Sequence, residues 1–431
     1  MKITFIRPNM PAKRSGLSLE PLALAILKAR TPQNVDLEFY DEFIEDIPEH
    51  IDTDLIAMTV QTFTAFRAYQ LADKFRKQHI PVVLGGYHPS LMTDEAIGHA
   101  DAVVIGDAER IWPQVVHDAA QGTLKKFYEG HYSGSLQGIQ YDRSIFNGKK
   151  YSSILPIEFN RGCTYDCDFC SIVAFNRHTV KSRPINEVIE EIKRLQHTYY
   201  FFIDDNICIN KDMTIELFKA LIPLHIKWGC QIRVDALKDE SLVRLMARSG
   251  CFSVMVGLES LNPQNLVKMN KKSDLKEDYI ELVRKIKKYG IMVWGSFIFG
   301  YEHDDSDVFN ATIDFAGKSK LYLVNFNTLN PMPGTKLYQR MKEEKRLLED
   351  YWWRFEKYKY GEIMYTPANI STAKLKEACI RMRFKFYKYT NIVYRAFDFK
   401  SNCRNLSNLV LFLASNIIAR RQVRNKMKEI M

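Results

Sequence analysis

The chain has 431 residues, 46% hydrophobic and 26% charged, an ordinary globular balance that excludes wholesale disorder. Its 20 Gly and 15 Pro are too few for a fibrous or low-complexity protein. The net charge of +10 is unevenly placed: residues 1–150 carry 16 Lys/Arg against 19 Asp/Glu, and residues 371–431 carry 14 against 3, so the basic character is local to the C-terminal end and unlike the spread basic face of a nucleic-acid enzyme.

The first residues, MKITFIRPNM, lack the apolar core of a signal peptide. No window reaches about 18 uninterrupted apolar residues, so no spanning helix is expected and the chain reads as cytoplasmic. Residues 1–125 alternate strand and helix signals. Lys2–Arg7, Val35–Tyr40, Leu55–Val60, Ile80–Leu84 and Ala102–Ile105 read as strands, with helices over Leu22–Lys28 and Ala65–Gln78. This pattern predicts a doubly wound, Rossmann-like parallel sheet, with Gly85-Gly86 and Gly106 at strand ends where such sheets bind ligands. Residues 126–150, with four glycines and little periodicity, read as a linker. Residues 151–340 carry a second α/β series. Its strands are expected at Leu155–Asn160, Tyr199–Asp204, Trp228–Val234, Ser253–Leu258, Ile291–Phe299 and Leu323–Leu329, and its helices start near Pro184, Met213, Asp239, Leu275 and Asp305. Six β/α units are too few for a closed barrel of eight and predict a partial (β/α)6 TIM barrel. Residues 341–431 read as a helical extension rich in aromatics.

Eight cysteines are present, and three of them lie in Asn160-Arg161-Gly162-Cys163-Thr164-Tyr165-Asp166-Cys167-Asp168-Phe169-Cys170, with C-x3-C-x2-C spacing directly after the first strand of the second series. Three thiolates on a short loop suit three corners of a cubane 4Fe-4S cluster and leave the fourth iron open for substrate. A structural zinc site would need a fourth ligand nearby, for which His178 is the available residue. The other five cysteines read as small buried hydrophobes.

The triplet, with an aromatic before its last cysteine, resembles the motif of the radical S-adenosylmethionine family. That resemblance implies an enzyme in which the open iron chelates S-adenosylmethionine, and one electron from a reductant such as flavodoxin or ferredoxin yields methionine and a 5′-deoxyadenosyl radical. It also implies a partial barrel with cofactor contacts at strand ends. The matching positions are Phe169; Asp204 and Asp205, where many members have Gly-Gly-Glu; Arg233, beside Asp235; Glu259 and Ser260; Phe297 near Gly300; and Asn327. Each of these also has a plain reading as a cap or turn residue.

Residues 1–125 resemble the cobalamin-binding domain of one large subfamily. Thr59-Val60-Gln61 stands where S-x-L is expected, Gly85-Gly86 follows at near the usual interval, and Gly106-Asp107-Ala108-Glu109 resembles the subfamily's Gly-Glu-Gly-Glu. The first loop departs: Gly16 matches, but Lys13 stands at the axial histidine position. The resemblance therefore implies either a cobalamin without a lower protein ligand, with Thr59, Gln61, Gly85, Gly86, Gly106 and Glu109 around it, or a retained scaffold without the cofactor. His88 is an alternative ligand with a plainer reading as a packing residue. No cysteine precedes Cys163, which argues against a methylthiotransferase with a second cluster.

These readings together imply a cobalamin-dependent radical methyltransferase. One S-adenosylmethionine would methylate cob(I)alamin, and a second would yield the radical that activates an unactivated carbon of a small molecule or lipid. The alternative is a radical oxidoreductase, cyclase or rearrangement enzyme without methyl transfer. Residues 320–370, with NFNTLNPMPGTKLY, Tyr351-Trp352-Trp353 and Tyr358-Lys359-Tyr360-Gly361, resemble one branch of the subfamily; the aromatics either line a substrate cavity or pack a core. The apolar run Leu406–Ile418, followed by Arg420, Arg421, Arg424, Lys426 and Lys428, suits either a core-docked helix with a solvated end or contact with an anionic membrane surface. No nucleic-acid partner is expected.

Overall fold

Apolar runs of three to six residues, too short to be helices, pair edge to edge in the N-terminal part of the chain: β1 (Lys2–Arg7), β2 (Asp36–Asp41), β3 (Leu55–Thr59), β4 (Val82–Gly85), β5 (Ala102–Ile105) and β6 (Phe127–Glu129). A computed structural model describes residues 1–10, 18–130, 134–275, 278–356, 358–359 and 361–428. All six strands are parallel, in the order β2-β1-β3-β4-β5-β6. Ile3, Phe5, Leu55, Ala57 and Val83 face the helices Leu22–Arg30 and Trp112–Ala120 on one side, while Ile6, Ile56, Met58 and Leu84 face Ala65–Lys77 on the other. Burial on both faces explains why these strands read as continuous apolar runs.

Residues 126–150 are not a linker. β6 pairs with β5, and Leu136, Ile139, Tyr141, Ile145 and Phe146 are buried against the first sheet. Their spacing follows an irregular path over that sheet, so no helix or strand period betrays them.

The second sheet is also parallel, in the order β7-β10-β11-β12-β13-β14. It comprises β7 (Leu155–Ile157), β10 (Tyr199–Phe202), β11 (Lys227–Ile232), β12 (Cys251–Glu259), β13 (Met292–Phe299) and β14 (Leu323–Thr328). Its edges do not meet, which makes it the open barrel that the strand count implied. Between β7 and β10 a small antiparallel pair, β8 (Asn160–Gly162) with β9 (Val180–Ser182), frames the cysteine loop. Side chains of Asn210, Asp239, Asp278 and Asp305 cap the helices that follow β10, β11, β12 and β13. Asp239 and Asp305 were legible as caps; the helix expected near Leu275 instead starts at Tyr279 behind Asp278, and Pro184 precedes its helix instead of opening it.

The C-terminal extension is less helical than its composition implied. After the helix Lys336–Glu343 the described residues hold one short turn, Trp352–Arg354, before the helices Thr372–Phe386, Tyr389–Ala396 and Leu406–Lys428. Trp352, Trp353 and Tyr358 do not line a cavity: they are buried against Phe63, Tyr69 and His88 of the first sheet's layer, and Tyr360 lies outside the described residues. Trp353 Nε1 donates to Glu95 at 2.9 Å and Trp352 Nε1 to the Pro331 carbonyl at 2.9 Å, so the extension straps the two sheets together. The last two helices pack Ile392 and Phe412 on Phe252, Met292 and Tyr322, beneath the N-terminal ends of the barrel strands. Among the described residues no helix is long and apolar enough to cross a membrane.

Candidate functional site

Strand alternation decides which side chains the barrel offers to a ligand. Along β11–β14, Trp228, Cys230, Ile232, Val254, Val256, Phe297, Phe299 and Phe326 are buried in the core. Their half-buried alternates Gln231, Met255, Ser296, Ile298, Asn325 and Asn327 line the concave face, across which Asn325 Nδ2 lies 3.8 Å from Met255 Sδ. Phe297, expected to contact S-adenosylmethionine, is therefore on the wrong face. Its ring packs 6.1 Å from Phe315 and 6.0 Å from Phe326, and its neighbours Ser296 and Ile298 take the concave side.

The cysteine loop leaves β8 at Gly162, whose φ is +92°; a Cβ there would overlap the Thr179 carbonyl, so this position requires glycine. Cys163, Cys167 and Cys170 then turn toward the strand ends. Burial raises the pKa of all three thiols, that of Cys170 to about 12, and the charge on Cys167 opposes ionisation of both neighbours. Three buried or half-buried thiols, two of them disfavoured by the charge of the third, fit a cationic cluster placed among them. His178, the residue available to a zinc site, faces Asp166 at 3.7 Å. Arg233, at the end of β11, points Nη1 at Cys167 Sγ from 3.6 Å, stacks over Tyr165 at 3.7 Å and pairs with Asp235 at 3.4 Å. Asp235 also accepts a hydrogen bond from the Tyr165 hydroxyl.

The other expected contacts separate. Glu259 ends β12 in the left-handed region (φ +59°), a conformation costing of order 1 kcal/mol or more in a non-glycine residue. Its carboxylate meets the buried ammonium of Lys271 at 3.4 Å, which also donates to the Gly257 carbonyl at 2.6 Å and pairs with Asp274 at 3.3 Å. Ser260 is spent locally, accepting the Asn262 N–H at 3.0 Å. Phe169 packs against the barrel core. Asp204 is buried and accepts backbone N–H bonds from Phe159, at 3.1 Å, and Asn160; it clamps the end of β10 to the segment after β7 and offers nothing to a ligand. Its neighbour Asp205 points the other way, toward the cysteine loop, and accepts the Gly162 N–H at 3.2 Å. Asp205, Arg233, Glu259 and Asn327 thus remain of the expected set. Lys271 and Tyr165 were missed, because a Lys in the run Asn270-Lys271-Lys272 reads as solvated.

A cavity of about 380 Å³ opens at the carboxyl ends of β1, β3, β4 and β5 and reaches the barrel at Glu158, Arg161 and Asp205. Thr59, Gln61, Gly85, Gly86, Gly106 and Glu109 all line it. Gly86 has φ +99°, and a Cβ there would press on the Val60 carbonyl at 3.0 Å, so the two strand ends close on each other only with glycine. Gln61 also caps the turn that follows it, and Glu109 is not free: it pairs with Arg161 at 2.8 Å. Among the described residues no histidine lines the cavity; Lys13 and Gly16 lie outside them. His88 points away into the core, with Nε2 3.0 Å from the Tyr69 hydroxyl and 3.5 Å from Glu95. The described donor set fits a large ligand held by strand-end backbone, Thr59 and apolar surface.

Arg161, two residues before Cys163, ties this cavity to the barrel. Its guanidinium meets Asp107 at 2.9 Å, Glu109 at 2.8 Å and Glu158 at 2.9 Å. Asp205 sits where cavity and cysteine loop meet. Burial pushes its carboxyl up to about 6, against the Gly162 hydrogen bond, with Glu158 adding to the rise. The folded state therefore holds this proton at a pH where the unfolded chain has released it. That contribution to stability is full below about pH 4 and is lost as pH rises through about 6. Asp205→Asn should lessen the loss of stability between pH 4.5 and 7.5 in urea unfolding; an unchanged slope would sink this assignment.

Comparison with known proteins agrees with this geometry. The model of the radical SAM superfamily matches residues 157–316, and that of the B12 binding domain matches residues 15–116. Bacteriochlorophyllide d C-12(1)-methyltransferase of Chlorobaculum tepidum is 30% identical over 394 residues, covering 88% of this chain and 85% of that protein. Hopanoid C-2 methylase of Rhodopseudomonas palustris is 24% identical over 353 residues, covering 77% of this chain and 66% of that protein. In fold, the chain resembles the radical S-adenosylmethionine methyltransferase TsrM of Kitasatospora setae, solved with cobalamin and a [4Fe-4S] cluster, with a TM-score of 0.62 at 15% identity over 80% of this chain and 75% of that chain.

Proposed function

We propose a function for a chain that belongs to the radical S-adenosylmethionine superfamily, in the branch with an N-terminal B12-binding domain. It is a cobalamin-dependent methyltransferase that places a methyl group on an unactivated carbon of a small molecule or lipid. One observation supports the reading: the cavity of the first sheet extends to the base of the cysteine loop, where Arg161 and Asp205 line it and Asp205 accepts the Gly162 N–H. Bound there, the cluster with S-adenosylmethionine supplies a carbon-centred radical, and the corrinoid supplies a methyl group.

The chain's own residues hold and orient these groups. Cys163, Cys167 and Cys170 are the cluster ligands in this reading, and Arg233 offsets the charge they carry. Arg233 and Glu259, at the ends of β11 and β12, flank the polar end of S-adenosylmethionine. Asn327, on the concave side of β14, reaches its adenosine end. Thr59, Gly85, Gly86 and Gly106 cradle the corrinoid from the ends of β3, β4 and β5, and the buried walls of both sheets keep water from the radical. The electron comes from a small reductant protein of the flavodoxin or ferredoxin kind.

The test is anaerobic turnover with methyl-labelled S-adenosylmethionine, hydroxocobalamin, reductant and a small-molecule and lipid extract of the source cells. A labelled product heavier than its precursor by one CH2 is the expected result. Deoxyadenosine formation with an unlabelled product lighter by two hydrogens would replace methyl transfer by cyclisation or desaturation.

A further inference from the structure

Exposed large hydrophobic side chains are not scattered evenly over this molecule. Of fifteen among the described residues, nine fall between Phe384 and Ile417. The helix Tyr389–Ala396 buries Ile392 and Arg395 and turns Tyr389, Val393 and Tyr394 outward. Phe397 continues that stripe at 60% exposure, and Phe399 beside it is 71% exposed, with the two rings 6.4 Å apart. The helix Leu406–Lys428 packs alongside, buries Phe412 and Asn416, and leaves Leu406 and Val410 76% and 56% exposed on its outer side. Singly exposed apolar residues need no explanation, but a contiguous aromatic-rich patch marks a contact surface.

Charge identifies what covers it. Residues 384–424 carry eight Lys or Arg against one acid, Asp398, and that acid is buried and paired with Lys287 at 2.6 Å. Lys388, Lys400, Arg404, Arg421 and Arg424 are exposed around the apolar stripes. A second copy would set two such basic faces against each other, which repels. An anionic bilayer meets both features: aromatic rings and aliphatic side chains enter the interface while Lys and Arg stay at headgroup level.

The patch also has a definite place in the fold. Lys320, just before β14, donates to the Phe397 carbonyl at 2.7 Å, and Arg404 donates to the Tyr289 carbonyl at 2.7 Å, both in loops that enter the barrel strands. It therefore lies on the floor of the barrel, opposite the cysteine loop. We infer that this floor is a peripheral docking surface for anionic membranes, and that docking through it turns the mouth of the site toward the aqueous side. The buried arrangement of Phe412 and Asn416 shows that the apolar run of residues 406–418 serves mainly to hold the floor in place; the docking elements are the stripe around Phe397 and Phe399 and the basic rim.

The experiment is co-sedimentation of the full chain with phosphatidylcholine vesicles, with and without phosphatidylglycerol. Binding to the anionic vesicles only, weakening as salt shortens the Debye length to about 10 Å at 0.1 M, is the expected result. Lys388→Glu with Lys400→Glu and Arg421→Glu should lower partitioning at least about 100-fold, and Phe397→Ser with Phe399→Ser at least about tenfold. All five positions are exposed, so unchanged thermal melting should accompany both losses, and deoxyadenosine formation should persist because the floor lies away from the cysteine loop. A wild-type chain that ignores anionic vesicles at low salt overturns the proposal. So does a dimer that Phe397→Ser with Phe399→Ser dissociates without any vesicle binding, which would assign the face to a second copy.

Discussion

Replacing Cys163, Cys167 and Cys170 together by Ala should take anaerobically reconstituted protein from about four bound irons to none, and deoxyadenosine formation to the limit of detection. The effect should be complete because none of the other five cysteines lies on the loop. Cys230 and Cys251 are buried in the barrel core, Cys379 is buried on the extension's helix Thr372–Phe386, and Cys208 and Cys403 are half-buried on other segments. The loop is anchored chiefly by groups other than its thiols: the Gly162 N–H on Asp205, the Asp168 N–H on the Met269 carbonyl at 3.3 Å, and the Asp166 side chain paired with Lys336 at 2.6 Å. The triple variant should therefore keep its circular dichroism and its melting transition while losing the charge-transfer absorbance. A triple variant that still binds four irons would remove the cluster assignment and the radical chemistry with it.

Arg161→Ala should be the most damaging single substitution outside the hydrophobic cores. It strands Glu158 and Glu109, both buried, and the half-buried Asp107, beside the cavity that joins the two sheets. Removing one partner of a buried ion pair costs about 3–5 kcal/mol, because the charges left behind are neither hydrated nor compensated. Lys181 remains on Asp107, and the Tyr141 hydroxyl still donates to Glu158 at 2.8 Å, so the loss should fall short of three separate pairs. Burial by itself would push the Glu158 carboxyl up, and the Arg161 guanidinium beside it holds it below its ordinary value. In the wild type that pairing therefore stabilises above the carboxylate range and is lost as pH falls through it. The Arg161→Ala defect should accordingly shrink as pH falls through the carboxylate range, as Glu158 becomes protonated and needs no partner. Arg161→Lys should recover only part of the stability, since an ammonium cannot meet three carboxylates with the fork of a guanidinium. Urea unfolding at pH 7.5 and pH 4 measures both effects, and retention of added hydroxocobalamin should fall with stability. Destabilisation below about 0.5 kcal/mol would mean that the domains are held by packing alone.

Local chemistry was strong enough to be read without coordinates wherever a pattern and its consequence sit within a few residues. Every strand of both sheets but β6 follows from buried runs bounded by glycine and polar residues, Asp239 and Asp305 announce helix starts, and the spacing of Cys163, Cys167 and Cys170 points to a cluster loop on chemical grounds. The glycines at 85, 86 and 106 mark strand ends because strand ends are where backbone must turn sharply.

What the sequence could not decide was direction and partnership across distance. Asp204 and Asp205 are adjacent and chemically identical, yet one clamps the backbone of Phe159 and Asn160 while the other faces the cavity, because successive side chains at a strand end point to opposite sides. The same alternation puts Phe297 among the helices and Asn327 on the concave face. Arg161 reads as an ordinary surface residue until Asp107 and Glu109, more than fifty positions earlier, fold against it. Trp352 and Trp353 suit a cavity wall or a core until the first sheet covers them. A run of residues specifies its own secondary structure through short-range geometry, but burial and pairing are properties of the surface another part of the chain brings, and only the tertiary structure sets these two sheets mouth to mouth.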